Sequence, residues 1–244
     1  MTTLVVGATG ATGQLVVEQL LANSEQVRVI VRSIDRLPEA LRCHDRVSIT
    51  EANLLDLSET ELRQQVDGCR AVVSCLGHNL TLKGIFGQPK QLVTIAVQRL
   101  CRAIELNGPA TPVRFILMNS TGNQNTYAGE TVSTAQSRVV GMIRHLVPPH
   151  ADNEKAAAYL QSTYDLGHKM VEWTAVRPDA LIDDDSVTTY STHPSPTCSA
   201  IFDDGKTSRI NVASFMTELA LNDDTWRQWK SQMPVIYNSI RPAA

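Results

Sequence analysis

Three glycines recur at every third position near the start of the chain, in Gly7-Ala8-Thr9-Gly10-Ala11-Thr12-Gly13. They follow a short apolar stretch, Leu4 to Val6, and precede an amphipathic run from Gln14 to Ala22. A strand, a tight glycine turn and a helix in that order are suited to holding a pyrophosphate. One glycine lets the chain turn sharply, a second lets the backbone approach the phosphates, and a third lets helix and sheet pack closely. The N–H groups that open the helix then face the anion. Thr9, Ala11 and Thr12 are expected beside the glycines in the same cradle. About twenty residues on, where a site for NAD carries an Asp or Glu against the ribose hydroxyls, this chain has Arg32-Ser33. A carboxylate there would repel a 2′-phosphate, whereas a guanidinium and a hydroxyl can both bond it. The expected cofactor is therefore NADP(H) in preference to NAD(H).

The elements that must position these residues alternate along the chain. Val27 to Val31 is a β-branched run that reads as a buried parallel strand, and Val47 to Thr50 as a third strand. Ser58 and Glu61 have the spacing of a capping box that starts a helix near Glu59. Ala71 to Cys75 is a fourth strand. Apolar residues at helical spacing run from Pro89 to Leu106, where Asn107-Gly108-Pro109 stops the helix. Val113 to Met118, Val171 to Val176 and Val235 to Tyr237 complete the strands, with helices expected over 152–161, 211–221 and 224–232. This order predicts a single α/β domain over residues 1–244, a Rossmann-type doubly wound parallel sheet with helices on both faces and its ligand at the carboxyl ends of the strands. Residues 120–150, a polar loop and a helix around Ser137 to Leu146 ended by Pro148-Pro149, and residues 179–207 are expected as substrate-side loops. Trp226 and Trp229, three apart, read as packing anchors.

Composition removes several classes of function. With 43% hydrophobic residues and a net charge of −3, no basic excess exists to neutralise nucleic-acid phosphates. No apolar run is long enough to span a bilayer, and a strand beginning at residue 3 leaves no room for a signal peptide. Five cysteines without metal spacing fit a reducing cytoplasm, and six scattered histidines give no ligand set, so no metal is expected.

The glycine run followed by Val31-Arg32-Ser33 resembles the atypical short-chain dehydrogenase/reductase superfamily. The branch is the NAD(P)H-binding one, with flavin- and biliverdin-reductase-like proteins, isoflavone-reductase-like enzymes and nitrogen-metabolite-repression-type redox sensors. The segments Val72 to Gly77, Phe115 to Ser120, Trp173 to Pro178 and Ser208 to Ala213 agree in order along nearly the whole chain. The resemblance implies roles position by position. Asn53, followed by Leu54, falls where the branch has an acidic residue against adenine. Ser74, Leu76 and Gly77 match the segment flanking the adenine ribose. Ser120 matches the catalytic serine, and Arg177-Pro178-Asp179 the segment beside the nicotinamide, with Asp where Gly is common.

One departure bears on mechanism. Family members use Y-x-x-x-K, in which the tyrosine is the acid/base and the lysine lowers its pKa and holds the ribose. This chain has no such motif: four residues before Lys155 stands Ala151, and Tyr164 with Lys169 is too widely spaced. Lys155, Tyr127 and His150 are the candidates for the missing acid, and Cys75 reads as structural. Two functions follow. The first is an NADPH-dependent reductase of a small or flat acceptor, such as a quinone, flavin or enone, to which hydride passes with little acid catalysis. The alternative is a non-catalytic NADP(H)-binding redox sensor that reports to a partner protein. An epimerase-type lyase would need the tyrosine.

Overall fold

The computed structural model describes residues 1–77, 91–125, 129–130, 148–164, 167–197 and 205–239. The first unit is β1 (Thr2–Val6), α1 (Ala11–Ala22) and β2 (Gln26–Val31), and a 3-10 turn (Ile34–Arg36) and the short α2 (Glu39–Arg42) lead to β3 (Val47–Glu51). α3 (Glu59–Val66) begins at the expected capping box: Ser58 accepts from the Glu61 N–H while the Glu61 carboxylate accepts from the Ser58 N–H. β4 (Cys69–Ser74), α4 (Leu92–Asn107), β5 (Val113–Met118), α5 (Pro148–Thr163) and β6 (Val171–Pro178) follow. The chain then forms β7 (Ala180–Ile182), β8 (Tyr190–His193), β9 (Lys206–Ser208), α6 (Arg209–Leu221), α7 (Asp223–Trp229) and β10 (Val235–Asn238).

These strands make one sheet in the order β3-β2-β1-β4-β5-β6-β10-β8, parallel from β3 to β10 with β8 antiparallel at the edge. Strand order reverses between β1 and β4, which makes that crevice the switch point where a dinucleotide sits. The central strands bury both faces, as their unbroken apolar sequences require. On one face Val16, Val17 and Leu20 of α1 meet Val212, Phe215, Met216 and Leu219 of α6, with Trp226 and Trp229 buried beside them as packing anchors. On the other, Leu62 and Val66 of α3, Val93, Val97 and Leu100 of α4, and Ala156, Ala157 and Leu160 of α5 cover Leu4, Val72, Phe115 and Trp173.

Two expectations change here. α5 begins at Pro148, four residues before its expected start at Asp152, because proline's missing N–H falls among those a helix leaves unbonded in its first turn. The helix expected over 137–146 lies outside the described residues. Residues 179–207 carry β7, β8 and β9 despite their lack of periodicity. Their pairing is set by neighbours rather than by local pattern: β8 pairs with β10, and β7 with β9 in a separate two-stranded parallel sheet.

The loop that follows β5 is anchored by a buried ion pair. Arg177, fully enclosed, binds both oxygens of Glu130 at 2.9 and 2.7 Å and also donates to the carbonyls of Asn123, Met233 and Pro194. Burial pushes the Glu130 carboxyl up, but hydrogen bonds from Arg177 and the Asn125 N–H outweigh it and hold it below the usual carboxylate range. A depressed folded pKa contributes stability above the unfolded value, and that contribution is lost as the pH falls below about 4. Replacing Glu130 by Ala leaves an enclosed guanidinium without its counter-charge, and is expected to cost about 3 kcal/mol in urea unfolding at neutral pH. The deficit should shrink on acidification, when wild type protonates the same carboxyl. Equal midpoints for the two proteins at neutral pH would show that the pair does not secure the loop.

Candidate cofactor-binding site

The glycine turn is built by close approach. Gly7 has a left-handed φ of +83°, and a Cβ on it would lie 2.5 Å from the Cys75 carbonyl oxygen at the end of β4. A Cβ on Gly13 would fall 2.2 Å from the Gly7 oxygen. Neither position can carry a side chain without parting α1 from the sheet. Gly10 is different. It caps α1 in an extended conformation, with no side chain capping the helix and no acidic residue in its first turn, and a Cβ there meets only the Gly7 oxygen at 3.3 Å. Gly10 keeps clear the space in front of the opening N–H groups of α1, as an approaching phosphate requires.

A cleft of about 270 Å³ runs from this turn across the carboxyl edge of β1, β2 and β3. Gly7, Thr9, Gly10, Arg32, Asn53, Leu54, Leu76 and Gly77 all line it, so half of the expected cofactor residues share one surface. Ala11, Thr12 and Gly13 lie just behind in the start of α1, where Thr12 and Gly13 are buried. Ser33 caps the 3-10 turn that follows β2. Arg36, on that turn, also lines the cleft, a residue the sequence reading missed. Its signal is its position four residues after Arg32 on a tight turn, so that two exposed guanidiniums stand at one end of the cleft. Asn53 donates through its amide to Asp56 at 2.9 Å. Cys75 lines the cleft, and burial pushes its thiol up to about 12, which leaves it inert as a nucleophile at neutral pH.

Beyond the switch point the described turns carry hydroxyl and amide side chains. Ser74, at the end of β4, is fully buried with its hydroxyl unpartnered. Ser120, just past β5, is half-buried, and its N–H donates to the Asn119 side chain at 2.8 Å. Asn119 in turn donates to the Asn153 carbonyl of α5 at 3.0 Å, docking that helix on the turn after β5. Pro178 ends β6, and its carbonyl accepts the Thr121 N–H. Asp179, where relatives commonly have Gly, is nearly buried and has a structural use. It accepts from the Thr121 hydroxyl, the Ala180 N–H and the Gly205 N–H, tying three loops together.

Lys155 lies on α5, is exposed, and is not among the residues lining the cleft. Tyr164 is buried at the far end of that helix, its hydroxyl 3.4 Å from Tyr159 and its phenol held far above its usual range by burial. Tyr127 and the side chain of His150 lie outside the described residues. Among the described residues no group of three or more His, Cys, Asp or Glu could hold a metal ion, and no helix is long and apolar enough to cross a membrane.

The fold and the cleft together define a dinucleotide-binding α/β protein of Rossmann type. The chain belongs to the NAD(P)H-binding family, whose sequence profile matches residues 7–223, in keeping with the short-chain dehydrogenase/reductase resemblance of its motifs. No curated protein matches it. Among solved structures, ChuY, the anaerobillin reductase of Escherichia coli O157:H7, has a TM-score of 0.68 at 19% identity, with 100% of each chain covered. A short-chain dehydrogenase/reductase of Veillonella parvula in complex with NADP has a TM-score of 0.69 at 15% identity, covering 97% of this chain and 94% of that one. The oxidoreductase ylbE of Lactococcus lactis gives 0.68 at 16%, covering 98% and 91%. At such identities the likeness is one of fold.

The contrast between the glycines is testable. Gly10→Val should fold with a melting temperature near wild type and lose NADPH binding, because its side chain fills phosphate space rather than protein space. Gly13→Ala should instead melt early. A folded Gly10→Val variant that binds NADPH as wild type does would place the phosphates elsewhere.

Proposed function

We propose that this protein is an NADPH-dependent oxidoreductase that passes hydride to a small or flat acceptor of the quinone, flavin or enone type. The observation that carries the cofactor choice is the cationic end of the cleft, where Arg32 and Arg36 stand beside the end of β2 and no carboxylate is among the lining residues. A 2′-phosphate placed there gains two charge-assisted contacts, whereas the NAD ribose would find no carboxylate partner. Glu51, at the end of β3, accepts from the Ile34 N–H at 2.9 Å.

The acceptor class follows from the other end. Asn119, Ser120 and Asn153 meet where the nicotinamide half of a dinucleotide would lie, and none titrates near neutral pH. When bound, the cofactor supplies the hydride. The chain's own residues orient it: the α1 amides hold the phosphates, the arginines fix the adenosine end, and Ser120 bonds the acceptor or the carboxamide. An acceptor whose reduced form is stabilised by conjugation can take its proton from water, so a strong acid on α5 is not required. The same neutrality suits the second reading, a redox sensor that binds NADP(H) without turnover.

Purified protein should oxidise NADPH in the presence of at least one acceptor from a panel of quinones, flavins and enones. Tight NADPH binding with no turnover across the panel would favour the sensor. Arg32→Glu should weaken NADPH binding by about one to two decades while sparing or improving NADH, the value of a lost charge-assisted hydrogen bond of about 1.5 to 3 kcal/mol. Equal wild-type affinity for the two cofactors would overturn the NADP assignment.

A further inference from the structure

On α5, the helix where the resemblance would put a tyrosine and a lysine, Lys155 is exposed and Asn153 half-buried. α5 buries Asp152, Ala156, Ala157 and Leu160. At 3.6 residues per turn, Asn153 falls inside the arc those four span, whereas Lys155 lies about 200° around the helix from Asn153. Lys155 is accordingly exposed. Asp152 is committed elsewhere: its carboxylate accepts the Val93 and Thr94 N–H groups at 2.7 and 3.0 Å and the Thr94 hydroxyl, capping α4. Asn153 stands over the turn after β5, its carbonyl accepting from Asn119 at 3.0 Å and Asn123 at 3.5 Å.

Its side chain, however, is unanswered. Asn153 Oδ1 is enclosed and has no hydrogen-bond partner. Ser74 Oγ, at the end of β4, is a second enclosed polar atom without a partner. Ser74 shares its strand face with Val72, which packs in the same core as α4 and α5. Two unanswered polar atoms thus lie on one side of the sheet at its carboxyl edge. Buried polar groups are ordinarily hydrogen-bonded, and exceptions concentrate where a ligand supplies the missing partner. The edge of β4, β5 and β6 belongs to the second mononucleotide half of a doubly wound sheet, opposite the glycine turn.

We infer that Asn153 is the residue of α5 that holds the nicotinamide half of the cofactor, its Oδ1 accepting from a hydroxyl of the nicotinamide ribose. This rests on the dinucleotide reading above and adds to it a polar contact to the second ribose. An amide neither gives nor takes a proton at neutral pH, so Asn153 positions the ring and leaves proton supply to solvent or the acceptor.

The test is calorimetric titration of the full chain with two probes, NADPH and adenosine 2′,5′-bisphosphate, which lacks the nicotinamide riboside. Asn153→Ala should weaken NADPH about tenfold, the worth of one neutral hydrogen bond, and leave the bisphosphate unchanged. If that variant melts early, Asn153→Leu, closer in shape, gives the same comparison. NADPH affinity unchanged in the folded variants would overturn the assignment, as would equal weakening of both probes, which marks a structural effect. Wild type binding neither probe is a separate result that removes the dinucleotide reading itself.

Discussion

The arrangement depends on one close approach. Gly7 lies against the Cys75 carbonyl, and Gly13 lies against Gly7, so tightly that a single methyl at either position would overlap backbone. This contact sets how near α1 can come to the sheet, and hence where its unbonded N–H groups end. The crevice between β1 and β4 exists because strand order reverses there, but only the bare backbone of the turn lets a phosphate enter it. Arg32 and Arg36 are then in place because β2 runs parallel to β1 in fixed register and ends at the same edge.

At both edges of the sheet, arginines stabilise turns and helix ends by gathering backbone carbonyls. Arg99 donates to the carbonyls of Leu54, Leu55 and Leu57, shaping the turn whose Asn53 and Leu54 line the cleft. Arg28 closes the end of α3 through the carbonyls of Gln64, Gln65 and Asp67. Arg114 does the same for α6, stacked over Trp226 with its carbon 5.3 Å from the ring centroid. Arg177 is the most enclosed of the four; it binds the Glu130 carboxylate as well, as Arg114 binds that of Asp223. The planar fork of a guanidinium can serve several acceptors at once, which suits it to helix ends and turns whose carbonyls would otherwise face apolar surroundings.

The two ends of the site are electrostatically unlike. The adenosine end is cationic and exposed, suited to attracting and selecting a charged group. Among the described residues the other end is rich in amides, with Asn119, Asn123 and Asn125 on the turn after β5 and Asn153 above them.

Much of this was legible in the sequence. The β-branched runs fixed the strands to within a few residues, Ser58 and Glu61 fixed the start of α3, and glycine spacing with Arg32 located the adenosine half of the cleft. These signals are local: periodicity, capping and turn chemistry act within a few residues. The rest is not local. β7, β8 and β9 lack periodicity because their partners supply the pairing, and Arg177 reads as a cofactor-side residue until Glu130 is seen folded back onto it. The face that α5 turns to the sheet could not be read either. Its apolar pattern is weak, and proline at both 148 and 149 conceals where it starts. A shift of two residues along a helix turns a side chain from the site to solvent. Sequence alone therefore determined the fold and the glycine turn between β1 and α1, whereas only tertiary packing decided that Lys155 is exposed while Asn153 is half-buried.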